Sequence, residues 1–360
     1  MKQRNPALDI IRIFALLCVI GVHFFLLSDF YPIPVTGTAM AGMIIVRCFC
    51  MICVPLFLML SGYLLKEKTL SRKYYSRIVY ILGIYVLACI SCGLYKCLCM
   101  DESLKDMVIG VFSYRTAAYG WYVEMYIGLF LLIPFLNMIY KGLETRKKRK
   151  LLLLTFLFLT AMPSLLNTWE LGSLSYFLHP SRSLEFDPLI PNCWRGLYPV
   201  TFYFMGAYLK DYPLKLKTGK HLLLIGLSAI VFGMFCYYRS YGRTFIGAEW
   251  AEHRSIFCTV LSFFVFSFLA ERPWKSIGPK TAKILSKLSS WTLGAYLCSE
   301  IFDRIVYGIL MEQGYPMLKR MALFPLTVGT VFLCSMTLSA ILNGIYNILA
   351  HLFRKKEKTA

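Results

Sequence analysis

Apolar residues are concentrated in ten runs, which short polar or charged segments separate. The runs cover approximately residues 8–27, 41–65, 78–98, 121–140, 150–166, 195–210, 221–238, 255–270, 289–310 and 323–350. An α-helix needs roughly 20 predominantly apolar residues to cross the hydrocarbon core of a bilayer. The pattern therefore predicts an all-α integral membrane protein that folds as a bundle of ten transmembrane helices.

The lysines and arginines between these runs predict which side of the membrane each segment occupies. If the N-terminus is cytoplasmic, the segments on the cytoplasmic side hold 26 of the 39 Lys and Arg residues, and the outer segments hold 9. Such an excess marks cytoplasmic loops, so both termini are predicted to be cytoplasmic. The chain then consists of one transmembrane domain, residues 1–350, and a basic cytoplasmic tail, residues 351–360, which suits contact with anionic lipid.

Composition excludes several other classes of protein. Of the 360 residues, 58% are hydrophobic and 16% are charged, which a soluble protein of this size could not accommodate. The net charge of +20 follows from the basic inner loops, so no nucleic acid is expected as a partner. The 13 cysteines lie mostly in apolar runs without paired CxxC blocks, so no metal site and no disulfide framework is predicted.

The first apolar run, residues 7–27, carries Asp9, Arg12 and His23. With about 100° per residue, Arg12 and His23 fall within roughly 20° of each other around the helix, and Asp9 within about 40° of His23. Polar groups on one stripe of a spanning helix usually face a bundle interior or a water-filled cavity. The alternative places Asp9 and Arg12 at the level of the lipid headgroups and makes His23 a packing residue.

Arg12 and His23 are far enough apart to hold the two ends of one long molecule. Eleven residues of helix separate them by about 16–17 Å. An acyl-CoA has a suitable shape, with its anionic head on Arg12 and its reactive end at His23. Arg72, Lys73 and Arg77, beside the cytoplasmic end of the third run, could add phosphate contacts. The positive-inside bias alone would also place these three residues there.

An imidazole suits a general base that takes a proton from an acceptor hydroxyl. The sequence shows no recognisable Ser-His-Asp triad. We therefore expect direct transfer, in which His23 activates the hydroxyl that attacks the thioester. Arg47, at a similar depth, is expected to bind an acceptor anion or to stabilise the developing oxyanion. Glu124 and Glu300 are the carboxylates expected to orient the imidazole or to pair with Arg47. Pairing for structure alone is the alternative for both.

Two long outer segments, residues 167–194 and 239–254, are rich in aromatic and hydrogen-bonding side chains. Loops that only connect helices tend to be shorter, so these segments are expected to cover an outward-facing site for a sugar or a polar metabolite. An ordinary solvated loop is the alternative. Asp303 and Arg304 lie near the outer end of the ninth run and are expected to be in contact with water.

Taken together, several stretches resemble the membrane acyltransferase family 3. In the first stretch, Arg12 and His23 match the family's Arg-x10-His spacing. The stretches are LDIIRIFALLCVIGVH (8–23), VPLFLMLSGYLL (54–65), RKYYSRI (72–78), WYVEMYIGLFLLIPFLN (121–137), YPVTFYFMGAYL (198–209) and SSWTLGAYLCSEIF (289–302). The resemblance covers essentially the whole chain.

This resemblance implies an integral membrane O-acyltransferase in which His23 is essential to catalysis and Arg12 is associated with the acyl-CoA donor. The expected donor is acetyl-CoA or another acyl-CoA, and the expected acceptor is a hydroxyl of a cell-surface glycan or lipid-linked sugar. Arg72 and Arg77 match the family's basic motif imperfectly. In the ninth run the family often has a histidine where this chain has Ser299 followed by Glu300, which leaves a different acceptor or an altered function open. The bundle itself or a partner protein is expected to complete the transfer.

Two other classes of function remain open from the sequence. Intramembrane His, Arg and Glu residues also suit a transporter or exporter of a small polar metabolite such as an amino acid. The runs lack the Gly- or Pro-broken helices in matching halves that mark many such transporters. A structural membrane subunit is the third possibility and fits the polar stripe poorly. The family and the topology favour a bacterial inner membrane, and lipid-facing helices are compatible with a homo-oligomer.

Overall fold

The computed structural model describes residues 5–172, 174–183, 185–272 and 277–359. Within these ranges the chain forms α-helices and short 3-10 turns and no β-strand, so the predicted all-α fold class is confirmed. The helices are α1 (Pro6–Leu27), α2 (Gly37–Cys50), α3 (Cys53–Leu65), α4 (Arg72–Tyr75), α5 (Ile78–Cys99), α6 (Leu104–Phe112), α7 (Trp121–Gly142), α8 (Arg146–Thr160), α9 (Pro163–Leu166), α10 (Leu174–Leu178), α11 (Tyr198–Asp211), α12 (Thr218–Ser240), α13 (Ile256–Glu271), α14 (Pro279–Glu312), α15 (Met317–Ala322) and α16 (Phe324–Thr359).

Among the described residues, eight segments are helical, long and apolar enough to cross a membrane. They are Pro6–Leu27, Gly37–Leu65, Arg72–Cys99, Ala118–Gly142, Arg146–Leu166, Thr218–Ser240, Glu249–Glu271 and Phe324–Leu352. The other two predicted spans lie in α11, which has only 14 residues, and in α14, which carries Glu300, Asp303 and Arg304 in its apolar part. A multi-pass helical bundle is thus confirmed, whereas the count of ten and the cytoplasmic side of both termini stay predictions.

Helix α1 lies at the centre of the bundle and packs against α2, α3, α13, α14 and α16. Its start is set locally, because the Asn5 side chain accepts a hydrogen bond from the Ala7 N–H and Pro6 occupies the first helical position. Other helices surround α1 on most of its sides. A polar stripe on α1 therefore faces protein over much of its length.

The second apolar run folds as two helices, since α2 ends at Cys50 and α3 begins at Cys53. Pro55 accounts for the break. Its ring nitrogen cannot donate to the Met51 carbonyl four residues earlier, and its ring would clash with that carbonyl in a continuous helix. The run therefore crosses the bundle as a pair of shorter helices.

Helix α11 is short but central, because it packs unusually close to α3. A Cβ added to Gly62 would lie 1.8 Å from the Tyr203 carbonyl oxygen, and one added to Gly206 would lie 1.8 Å from that of Met59. No other residue type fits at these two positions without moving a backbone. Nearly every residue of α11 is buried, so this helix belongs to the core of the bundle.

The last long helices extend beyond one membrane thickness. Helix α14 has 34 residues and α16 has 36, or about 51 and 54 Å at 1.5 Å per residue, against a hydrocarbon core of about 30 Å. The predicted boundary between the transmembrane domain and the basic tail, at residue 350, lies within α16.

Candidate active site

Two of the three polar residues on the stripe of α1 face the interior of the bundle. Asp9 is 1% exposed and His23 is 8% exposed, while Arg12 is half-buried. The interpretation that this stripe faces protein is therefore confirmed for Asp9 and His23. Arg12 lies at the edge of the interior, where it has access to a cavity described below.

His23 forms a buried polar cluster with two side chains from other parts of the chain. Its Nδ1 lies 2.8 Å from Oδ2 of Asp303 on α14, and the Tyr119 hydroxyl donates to the same oxygen at 2.9 Å. The Tyr119 ring stacks on the imidazole, with centroids 3.8 Å apart and an interplanar angle of 18°. Asp303 is fully buried. Three different segments of the chain therefore fix the position of the imidazole.

The hydrogen bond to Asp303 determines what His23 can do chemically. When Nδ1–H donates to the carboxylate, a neutral imidazole keeps its lone pair on Nε2, which is the form that accepts a proton. The negative charge of Asp303 then stabilises the imidazolium that results. The pair has the arrangement of a general base with an orienting carboxylate. The contact was not predicted, since Asp303 was expected to be in water.

Glu300, one turn before Asp303, occupies a different environment. Its carboxylate lies 3.2 Å from Nζ of Lys96 and 3.1 Å from Nη2 of Arg304, and it accepts a hydrogen bond from the Ala118 N–H at 2.6 Å. These described contacts are with neither His23 nor Arg47, the two residues it was predicted to serve. Because Ala118 precedes Tyr119, Glu300 instead anchors the turn that carries the stacked tyrosine.

Arg47 and Glu124 also lie apart from the imidazole in the described contacts. Arg47 is buried and donates to the Tyr31 hydroxyl and to the Ala251 carbonyl, and its guanidinium lies 4.9 Å from the centre of the Phe245 ring. Glu124 is exposed on α7. The structure therefore places Arg47 among residues of the connections after α1 and after α12, and brings Glu124 to neither proposed partner.

A cavity of about 250 Å³ runs beside α1. Along α1 its wall includes Arg12 and Val19, and along α14 it includes Thr292 and Tyr296. Val19 is one turn before His23, and Arg12 donates to the Ser289 hydroxyl at 3.1 Å. Both helices thus lead from the Arg12 end of the cavity toward the His23–Asp303 pair. The remaining lining residues are Val54, Phe57, Leu60, Ser61, Leu64, Leu65, Ile81, Tyr122, Val123, Tyr126 and Leu293.

The two tyrosines at the far end of the cavity connect it to the buried polar cluster. The Tyr296 hydroxyl donates to the Tyr119 carbonyl at 2.7 Å, and Tyr122 packs edge-on against Tyr296. Tyr119 itself stacks on His23. Tyr119 therefore contacts both the imidazole of His23 and Tyr296 on the cavity wall.

The predicted phosphate-binding residues lie near the opposite end. Arg72, Lys73 and Arg77 are exposed in α4 and at the start of α5. Arg77 is one helical turn before Ile81, which lines the cavity. These three cations are therefore accessible to water beside the Arg12 end of the cavity. Arg12 is the charged residue among those that line the cavity.

Comparison with known proteins gives the family of the chain. A family model described as an acyltransferase domain, Acyl_transf_3, matches residues 5–342. The chain belongs to membrane acyltransferase family 3. No curated protein and no solved structure matches it. Together with the apolar helices, the family match identifies a membrane acyltransferase.

The residues of this candidate site that sequence reasoning missed are Asp303, Tyr119 and Lys96. A weak signal existed for Asp303, because it lies three residues after Glu300 and so on the same face of one helix. Lys96 carried a similar signal, since a cation inside a span requires a buried anion nearby. Tyr119 had none, because it lies in a turn without periodic pattern.

Proposed function

We propose that this acyltransferase moves an acyl group, with acetyl as the expected group, from acyl-CoA to a hydroxyl of a cell-surface glycan or lipid-linked sugar. His23 acts as the general base. The observation that carries the proposal is the cavity beside α1, whose wall includes Arg12 and also Tyr296, the residue that donates to the Tyr119 carbonyl next to His23. Its wall follows α1 from Arg12 to Val19 and α14 from Thr292 to Tyr296, a course that suits the pantetheine arm and acyl group of the donor.

The Arg12 end of the cavity provides the charges for the donor's phosphates. Arg12 contributes a half-buried guanidinium, and Arg72, Lys73 and Arg77 contribute exposed cations on the same side. Guanidinium groups bind phosphate through two parallel hydrogen bonds, whereas lysine acts as a point charge. We assign this end to the cytoplasm, where acyl-CoA is available, in agreement with the distribution of Lys and Arg in the loops.

Direct transfer requires one proton acceptor and no covalent enzyme intermediate. Nε2 of His23 takes the proton of the acceptor hydroxyl as its oxygen attacks the thioester carbonyl carbon. The tetrahedral intermediate collapses with breakage of the carbon–sulfur bond, and the imidazolium returns the proton to the departing CoA thiolate. Asp303 stabilises the imidazolium between these steps, and Tyr119 holds both groups in place.

The position at which relatives often carry a histidine has a structural role in this chain. Ser299 is buried, and its hydroxyl donates to the Tyr296 carbonyl at 3.0 Å. We assign the acid–base chemistry on α14 to Asp303, one turn later, and the anchoring of the 118–120 turn to Glu300. This assignment supports transfer by the bundle without a second histidine.

The test measures transfer of radiolabelled acetyl from acetyl-CoA to cell-envelope material in membranes. Wild type should label an acceptor, and His23→Ala should lower the rate by roughly 10²–10⁴-fold, the usual contribution of a general base. His351→Ala is the matched control, since His351 is exposed on α16. Full activity of His23→Ala would overturn the mechanism. No label with wild type, together with accumulation of a small solute in vesicles, would indicate the transporter alternative.

The proposed orientation, with both termini inside a bacterial inner membrane, has a separate test. Cys193 is exposed and lies in a segment predicted to be outside. Cys99 is also exposed beside a predicted outer segment, so the test uses a Cys99→Ser background. A membrane-impermeant maleimide should label Cys193 in intact cells of that background, and Cys193→Ser should remove the label. Labelling of Cys193 only after permeabilisation would show that the topology is inverted.

A further inference from the structure

Three arginines contact a short segment of the outer connection, residues 249–254, and the segment itself carries a fourth, Arg254. We call these four residues the outer arginine cluster. Arg47 donates to the Ala251 carbonyl, and Arg195 forms an ion pair with Glu249. Arg239 lies over the Trp250 ring, with 4.2 Å between its Cζ and the ring centre, and Arg254 pairs with Glu252 at 2.7 Å. None of these residues lines the cavity beside α1 that is proposed to bind the acyl donor.

The outer arginine cluster carries more positive than negative charge. The segment brings two carboxylates, Glu249 and Glu252, to four guanidinium groups. The described contacts of Arg239 are with the faces of Trp169, Phe186 and Trp250, all of them neutral. A partly buried excess of two positive charges attracts anions and is costly to leave without one.

Arg195 has hydrogen-bonding capacity that the described residues leave unused. It is 5% exposed, and only its Nη1 pairs with Glu249, whereas Nε and Nη2 are buried without a partner. These two nitrogens form one edge of the guanidinium, and such an edge binds a carboxylate or phosphate through two parallel hydrogen bonds. Buried donors in folded proteins almost always have a partner, so a group from outside the chain is expected at this edge.

The outer arginine cluster is connected to His23 through the short turn that carries Tyr119. His253, whose Nε2 is also buried without a partner, stacks on Trp121 with 5.8 Å between ring centres. Trp121 is two residues after Tyr119, which stacks on His23. The same indole is 39% exposed, so it offers a face on which a sugar ring can pack.

We propose that the outer arginine cluster binds an anionic group of the acceptor, a carboxylate or a phosphate, with the Nε–Nη2 edge of Arg195 as the main contact. The acceptor is then an acidic glycan or a phosphate-linked sugar rather than a neutral one. This inference rests on the proposed acyltransfer and deepens it, because it names the class of acceptor.

The first test is the charge of the labelled product. Envelope material that wild-type membranes have acetylated from radiolabelled acetyl-CoA is separated by anion exchange. The label is expected to elute as an anion, and the carrier is expected to remain anionic after alkaline removal of the acetyl group. Mild acid hydrolysis, which cleaves sugar–phosphate bonds, distinguishes the two sources, since its neutral product indicates phosphate and retained charge indicates carboxylate. A neutral labelled product would overturn the inference and leave the acyltransferase function standing.

The second test changes the guanidinium edge while it keeps the positive charge. Arg195→Lys preserves a cation for Glu249 but lacks the planar edge, so the variant should still fold. The KM for acceptor purified from unlabelled cells should rise by about tenfold or more, the effect of losing a charge-assisted hydrogen bond. The KM for acetyl-CoA should stay unchanged.

Arg243→Lys is the matched control, because Arg243 is exposed in the same outer connection and the substitution is identical. It should leave both KM values unchanged. An unchanged acceptor KM in Arg195→Lys would contradict the proposal. Absence of any label in wild type would instead refute the acyltransferase function on which the proposal depends, so the two failures are distinguishable.

Discussion

The two ends of the stripe on α1 place charge in opposite environments. At the Arg12 end the cations are half-buried or exposed, and they adjoin an apolar cavity. At the His23 end the carboxylates are enclosed, since Asp303 is 0% exposed and Glu300 is 2% exposed. Exposed cations attract and release an anionic ligand at low cost, whereas buried groups hold a fixed geometry in a medium of low dielectric. The difference supports the proposal of donor binding at one end and proton transfer at the other.

The His23 end contains a second contrast, between two carboxylates one turn apart on α14. Glu300 faces two cations, Lys96 and Arg304, and is therefore neutralised within the bundle. Asp303 faces only His23 and Tyr119 in the described contacts, and its Oδ1 has no partner there. A carboxylate without a permanent cation is the one whose charge is available to stabilise a transient imidazolium. Loss of the two carboxylates should therefore have different consequences.

The largest effect is expected from Asp303→Asn, which keeps the size of the side chain and removes its charge. The amide cannot stabilise the imidazolium and can hold the wrong tautomer of His23, so kcat should fall roughly 10²–10⁴-fold. Acetyl transfer at saturating donor measures the loss. Because His23 and Asp303 act as one unit, the double variant with His23→Ala should be no slower than His23→Ala alone. Additive losses would show that Asp303 acts independently of the imidazole.

Glu300→Gln should show the opposite profile, with stability affected more than chemistry. The substitution removes the nearer and buried anion of Lys96, whose side chain is 7% exposed, and leaves it only the more exposed Glu102 at 4.0 Å. Removal of one partner from a buried ion pair costs about 3–5 kcal/mol. Thermal unfolding in detergent should therefore show a lower midpoint than for Asp303→Asn. The combined variant Glu300→Gln with Lys96→Met should recover part of the loss, and failure of that rescue would argue against the pair.

Arg12→Ala tests the other end of the stripe and should act on donor binding. Loss of one charge-assisted phosphate contact should raise the KM for acetyl-CoA by about 10–100-fold. The kcat should change little, because Arg12 is remote from His23. Arg12→Lys keeps the charge but not the bidentate edge and should be intermediate. A fall in kcat with an unchanged KM would place Arg12 in the chemistry rather than in donor binding.

Sequence alone was sufficient for the features that depend on one helix. The apolar runs predicted the all-helical fold class, and the spacing of Asp9, Arg12 and His23 predicted that they share one helix face. Both predictions follow from the geometry of an isolated α-helix. The eight apolar spans agree with the runs for the same reason. The 14 residues of α11 are a different case, because close packing at Gly62 and Gly206 and not the hydrophobic pattern determines its position.

The partners of His23 could not be obtained in this way. Asp303 is 280 positions away, and which residue of α14 meets the imidazole depends on how α1 and α14 pack together. The sequence places Glu300 and Asp303 on one helix face, but only tertiary contacts with Lys96 and Tyr119 distinguish their environments. Arg47 shows the same limit, since its depth was deduced from the run while its contacts come from the connections after α1 and after α12.

The smallest effects are expected at the exposed cations beside the Arg12 end. Replacement of Arg72, Lys73 or Arg77 by glutamine should raise the KM for acetyl-CoA by only about twofold to fivefold each, because exposed charge pairs are worth about 0.2–1 kcal/mol. These effects should diminish as ionic strength rises from about 0.01 to 0.5 M, since salt screens exposed charges, whereas the effect of the half-buried Arg12 should persist. Lys280→Gln, at an exposed lysine elsewhere, is the control. If all four cations showed the same salt dependence, the contrast between a partly enclosed anchor and its exposed neighbours would be wrong.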